Sequence, residues 1–61
     1  MPKQQFKAQA DICKKALDTL HKAIELDPGN VEEYQAGIAY TEGVMKASNA
    51  IVKAFDVVEP P

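Results

Sequence analysis

Few side chains in this sequence have the chemistry to react or to ligate, and their spacing keeps them apart. Cys13 and His21 are the sole cysteine and histidine. Eight residues apart on one helix, they point about 80° away from each other. No further soft ligand supports them, so the sequence offers no metal site. Asp27-Pro28-Gly29-Asn30 lacks the glycine spacing and the lysine of a phosphate-cradling loop. Glu32 and Glu33 are adjacent, and neighbours on a helix diverge, so they do not form an acid/base pair. Cys13 falls on an apolar stripe, where a small core residue is expected rather than a nucleophile, and His21 beside it is expected to reach solvent. Nothing assembles a nucleophile, a base and an oxyanion site. The expectation is a protein that is not an enzyme and binds no cofactor.

The elements that carry these residues follow from one interruption. Pro28 and Gly29 side by side break a helical pattern firmly, and they lie almost midway along the 61 residues. The pattern predicts an all-α, antiparallel two-helix hairpin, with helices over about 3–26 and 31–58 and a turn at 27–30. In the first helix Phe6, Ala10, Cys13, Leu17, Leu20 and Ile24 recur at spacings of 4, 3, 4, 3 and 4, a heptad-like seam. Ala16 and Ala23 flank it and allow close approach. The opposite side alternates in charge, with the i,i+4 pairs Lys7–Asp11, Asp11–Lys15, Lys14–Asp18 and Asp18–Lys22. Asn30 followed by Glu33 reads as a capping box for the second helix, and two glutamates in its first turn suit the helix dipole.

The second helix has only a narrow polar stripe: Gln35, Glu42, Lys46, Asn49, Lys53 and Asp56. One apolar seam is Tyr40, Val44, Ala47, Ile51, Ala54 and Val58. Another is Ile38, Met45, Val52 and Phe55. A hairpin partner covers only one of these. The expectation is that Ile38, Met45, Val52 and Phe55, with Tyr34 at the rim, form the uncovered protein-interface surface. Gly37 and Gly43 lie inside this helix and predict close packing of a small-residue strip, in a continuous or kinked helix; a break near Gly43 would instead give three helices.

Composition sets the outer bounds. Apolar residues make up 46% of the chain, too many for a disordered one, yet 61 residues form at most one small domain. With a single cysteine no internal disulfide can help, so completion by oligomerisation into a helical bundle, or capture by another helical protein, is expected. The net charge of −2, with both signs interspersed, argues against nucleic acid as a partner. No apolar run is long enough to span a bilayer. Met1-Pro2-Lys3-Gln4-Gln5 lacks the apolar core of a cleaved signal peptide. A cytoplasmic protein is expected, with export by a route that needs no cleaved signal compatible with the sequence.

Two local resemblances add to this. Ala16-Leu17-Asp18 with Leu20, Asp27-Pro28 at the turn, Tyr34-Gln35 with Ile38, then Ala47, Val52-Lys53 and Phe55 resemble the small helical-hairpin proteins of bacterial type III secretion, above all the needle subunits. The length and Glu33-Tyr34-Gln35 are also similar to the small co-chaperones that hold needle subunits soluble. The resemblance implies an assembly subunit, adaptor or chaperone, and the stop at Glu59-Pro60-Pro61, short of the needle subunits' longer second helix, favours the adaptor role. Lys22-Ala23-Ile24-Glu25-Leu26-Asp27-Pro28-Gly29-Asn30 resembles, more locally, the end of a tetratricopeptide repeat, with Ala16, Leu20, Ala23 and Pro28 at that repeat's spacing.

The function expected is therefore non-enzymatic helix–helix association. Two other readings share the size and fold. One is a dimeric two-helix regulator that binds RNA, for which Lys7, Lys14, Lys15 and Lys22 would have to supply the positive patch. The other is a small phage-type inhibitor that docks on a host protein.

Overall fold

The computed structural model describes residues 2–59. Helix α1 spans Pro2–Leu26, a single 3₁₀ turn spans Pro28–Asn30, and helix α2 spans Val31–Val58. The two helices pack against each other as a hairpin, a rod of 48 × 14 × 12 Å. Its radius of gyration is 14.3 Å, against about 10.5 Å for a compact domain of this length.

The turn is built around Asp27. The Asp27 N–H still donates to the Ala23 carbonyl at 2.8 Å, closing the last turn of α1. Pro28 then forces its predecessor out of the helical region, and Asp27 sits at φ −142°, ψ 66°. The Asp27 side chain accepts two hydrogen bonds on Oδ2, from Asn30 Nδ2 at 2.8 Å and from the Tyr34 hydroxyl at 2.7 Å. This corrects the expected capping box. Asn30 does occupy the N-cap position of α2, but its side chain makes no cap bond because its amide is drawn back to Asp27. Glu32 and Glu33 fall in the first turn, as the dipole argument requires. No glycine has a positive φ among the described residues, so the reversal relies on proline and on Asp27 rather than on a left-handed glycine.

The seam of α1 is the one expected. Phe6, Ala10, Leu17, Leu20 and Ile24 are half-buried, Cys13 is buried, and Ala16 and Ala23 are half-buried beside them. Burial is deepest where side chains are small: Cys13 and Ser48 are the two buried residues among those described, at 7% and 1% exposure. Ser48 removes its own polar cost by donating its hydroxyl to the Val44 carbonyl at 2.9 Å. At the open end of the hairpin the Phe6 and Phe55 rings meet at 6.4 Å between centroids and 33° between planes. Beside them Lys3 pairs with Asp56 across the two helices. That is the ion pair found among the described residues, so the four expected i,i+4 pairs on α1 do not close. Exposed lysines gain too little from such pairs to hold one rotamer.

Helix α2 runs unbroken through both internal glycines. They differ in surroundings. A methyl group added at Gly37 would lie 3.3 Å from Leu20 Cδ2, whereas one added at Gly43 would meet nothing within 4 Å. Close packing therefore accounts for Gly37 alone. The helix ends when the Glu59 N–H donates to the Phe55 carbonyl at 2.8 Å; Pro60 and Pro61, expected to end it, lie outside the described residues.

Two outcomes follow. Gly43→Ala should stabilise the fold by about 1 kcal/mol, since it removes a helix-interior glycine without a steric cost; Gly37→Ala should gain less, because Leu20 must shift. Thermal melts of the two variants compare them directly. The Asn30 and Tyr34 hydrogen bonds hold the Asp27 carboxyl below its ordinary range. A carboxylate with a lowered folded-state pKa adds stability above its unfolded pKa and loses it as pH falls through the folded value. Wild type should therefore lose stability on acidification through the carboxylate range, and Asp27→Asn should flatten that part of the pH profile. An unchanged acid limb in the variant would show that the Asp27 contacts do not steady the turn.

Candidate interaction face

The hairpin has two long faces, and the positions flanking the seam decide their character. Residues one step after the seam are Lys7, Asp11, Lys14, Asp18, His21 and Glu25 on α1, and include Gln35, Glu42, Asn49 and Asp56 on α2. All are exposed. Residues one step before the seam include Ala16 and Ala23 on α1, and Gly37, Val44 and Ile51 on α2. All of these are half-buried. In an antiparallel pair, equivalent flanks of the two helices share a face. One face is thus polar and charged, and the other is apolar.

The polar face holds a shallow groove of about 560 Å³, lined on α1 by Ala10, Asp11, Lys14, Leu17, Asp18 and His21 and on α2 by Met45 and Asn49. Its ionisable groups are mixed in sign and face solvent. Among the described residues no group of three or more histidines, cysteines or acidic residues is placed to hold a metal ion. Cys13, the one thiol, is buried between the helices. The groove brings together no nucleophile and base.

The apolar face is dominated by α2. Gly37, Tyr40, Val44, Ala47, Ile51, Ala54 and Val58 recur at alternating spacings of 3 and 4. This is a second heptad stripe, one residue out of step with the buried seam and so about 100° further round the helix. Tyr40 is 66% exposed and Val58 76%. On α1 the corresponding line is Ile12, Ala16, Thr19, Ala23 and Leu26, with Ile12 and Leu26 exposed. Near the open end Ile51, Ala54, Phe55, Val58 and Glu59 surround a hollow of about 210 Å³.

The side chains expected to form the uncovered surface are placed differently. Tyr34, Ile38, Met45, Val52 and Phe55 are all half-buried. Phe55 stacks with Phe6, Met45 lies over α1 beside Leu17, and Tyr34 ties into the turn through Asp27. They line the seam within the hairpin, and the stripe through Tyr40 and Ala47 is the more open of the two, with Tyr40, Ala47, Ala54 and Val58 exposed and Val44 and Ile51 half-buried. Two apolar seams compete for α1, and the one with the larger side chains removes more apolar area from water. Ile38, Met45, Val52 and Phe55 outweigh a stripe that contains Ala47 and Ala54. The signal in the sequence was register: the short turn sets Phe6 level with Phe55 and Lys3 level with Asp56.

No protein-family model, no curated protein and no solved structure matches this chain. Among the described residues no helix is long and apolar enough to cross a membrane.

Proposed function

We propose that this chain is a non-enzymatic helix–helix interaction protein, an assembly subunit, adaptor or co-chaperone that works through the apolar face of α2. The observation that supports this most directly is the second heptad stripe, with Tyr40, Ala47, Ala54 and Val58 exposed on a helix whose other seam is already used. A helix with two apolar seams is suited to sit between two neighbours, and the hairpin supplies only one. The accessible surface fits the same reading. It is 4750 Å², whereas a compact monomer of this mass exposes about 3,900 Å². The resemblance to the type III secretion hairpins supports an adaptor or chaperone setting within this reading.

The test is circular dichroism over a hundredfold concentration series, with Ile51→Lys beside wild type. Helix content or melting temperature should rise with concentration, and the lysine should abolish the rise. A largely unfolded wild-type chain at every concentration would mean that another protein supplies the missing neighbour. The reading fails if wild type melts cooperatively at one temperature throughout and Ile51→Lys leaves that temperature unchanged. The stripe would then serve neither folding nor association.

A further inference from the structure

We infer that the neighbour is a second copy of this chain, laid antiparallel on the α2 face with Tyr40 of each copy seated in the Ile51–Val58 hollow of the other. This rests on the interaction reading above and names the partner. The hollow has the form of a coiled-coil hole. Ile51, Ala54, Phe55 and Val58 stand at i, i+3, i+4 and i+7, the four positions that receive one knob from a facing helix. Its volume of about 210 Å³ is below the range of about 300 Å³ upward usual for small-molecule pockets, and suits a single side chain. Tyr40, 66% exposed on the same stripe, is the largest knob available.

The order of side-chain sizes along the stripe supports the antiparallel register. With two copies of α2 centred near Ala47, Tyr40 faces Ala54 and Val44 faces Ile51. Large residues meet small ones at both ends, and Ala47 meets itself at the two-fold axis, as an isologous contact requires. A parallel pairing would set Tyr40 against Tyr40 and Ala54 against Ala54. Charge agrees, since none of the stripe positions from Gly37 to Val58 is an acidic or basic residue, and Glu59 is the one charged residue at the edge of the hollow. A charged partner surface would lose its hydration against this stripe without a counter-charge, whereas an identical stripe would not. The level of Ala47 is also that of Ser48 and Cys13, the most deeply buried of the described residues, so the two-fold axis would cross each copy where its own two helices are most buried.

The experiment exchanges knob and hole. Ala54 is exposed, so Ala54→Tyr leaves the seam within the hairpin alone; circular dichroism confirms its helix content. Dimer dissociation is then followed by light scattering and sedimentation for wild type, Ala54→Tyr, Tyr40→Ala and the double variant Tyr40→Ala/Ala54→Tyr. Wild type should be dimeric. Ala54→Tyr should weaken the dimer at least about tenfold by overfilling the hole, and the double variant should recover most of that loss. Ala54→Tyr dimers as tight as wild type, or no recovery in the double variant, would overturn the register. A wild-type chain that stays monomeric would overturn the second copy altogether. If that monomer is largely unfolded, the interaction reading passes to a different protein; if it is stable and indifferent to Ile51→Lys, both fall together.

Discussion

The structure depends on how closely α1 and α2 approach at Cys13 and Ser48. These two small side chains are the only ones buried among the described residues, and they lie near the middle of the rod. Small residues there let the backbones come together, and the larger ones are displaced to either side. Phe6 and Phe55 fill the open end. Towards the turn, Leu20 occupies the space that Gly37 leaves by having no side chain. A serine is tolerable at this point only because its hydroxyl is satisfied within its own helix by the Val44 carbonyl. The contact is thus narrow and specific in size, but it removes little apolar area from water, and from this the open second face of α2 draws its importance.

Much of this was legible in the residues. Pro28 and Gly29 mark the reversal, and the bounds of α2, Val31–Val58, agree with its apolar pattern and first-turn glutamates. The seam of α1 could be read position by position, because α1 has one heptad stripe of large apolar residues and a mostly charged opposite side. Helix α2 was ambiguous for the converse reason. Two stripes one residue apart both satisfy a heptad, and periodicity cannot rank them. Side-chain bulk and the register imposed by the turn decide, through Phe6 against Phe55 and Leu20 against Gly37, and these are tertiary facts. The turn shows a similar limit. Asn30 and Glu33 carry the composition of a capping box, but Asp27 competes for the Asn30 amide and wins.

The chemistry of the two faces follows from the same geometry. Charged residues on α1 lie on the side away from the seam and on the flank that faces Asn49 and Met45, so the polar groove collects Asp11, Lys14, Asp18 and His21 without ordering them into a site. The other flank carries alanine, threonine and isoleucine on α1 and an almost unbroken apolar stripe on α2. A hairpin with one wet face and one dry face has a defined side on which another helix can be added.

The composition of that dry face also explains how the chain could avoid indiscriminate aggregation. Large exposed apolar patches draw in any apolar surface, and a stripe of leucines would do so here. Instead Tyr40, Val44, Ile51 and Val58 are separated by Ala47 and Ala54 and bordered by Ala36, Gly43 and Ala50. Interrupting large residues with small ones lowers the area available to a poorly matched partner, since a knob that lands on another knob gains little contact and strains both. It preserves the gain for a partner whose own sizes alternate in the opposite order. Under the proposed association, a neighbour on this face would be selected by shape rather than by charge, by the same rule of large against small that holds the hairpin itself together.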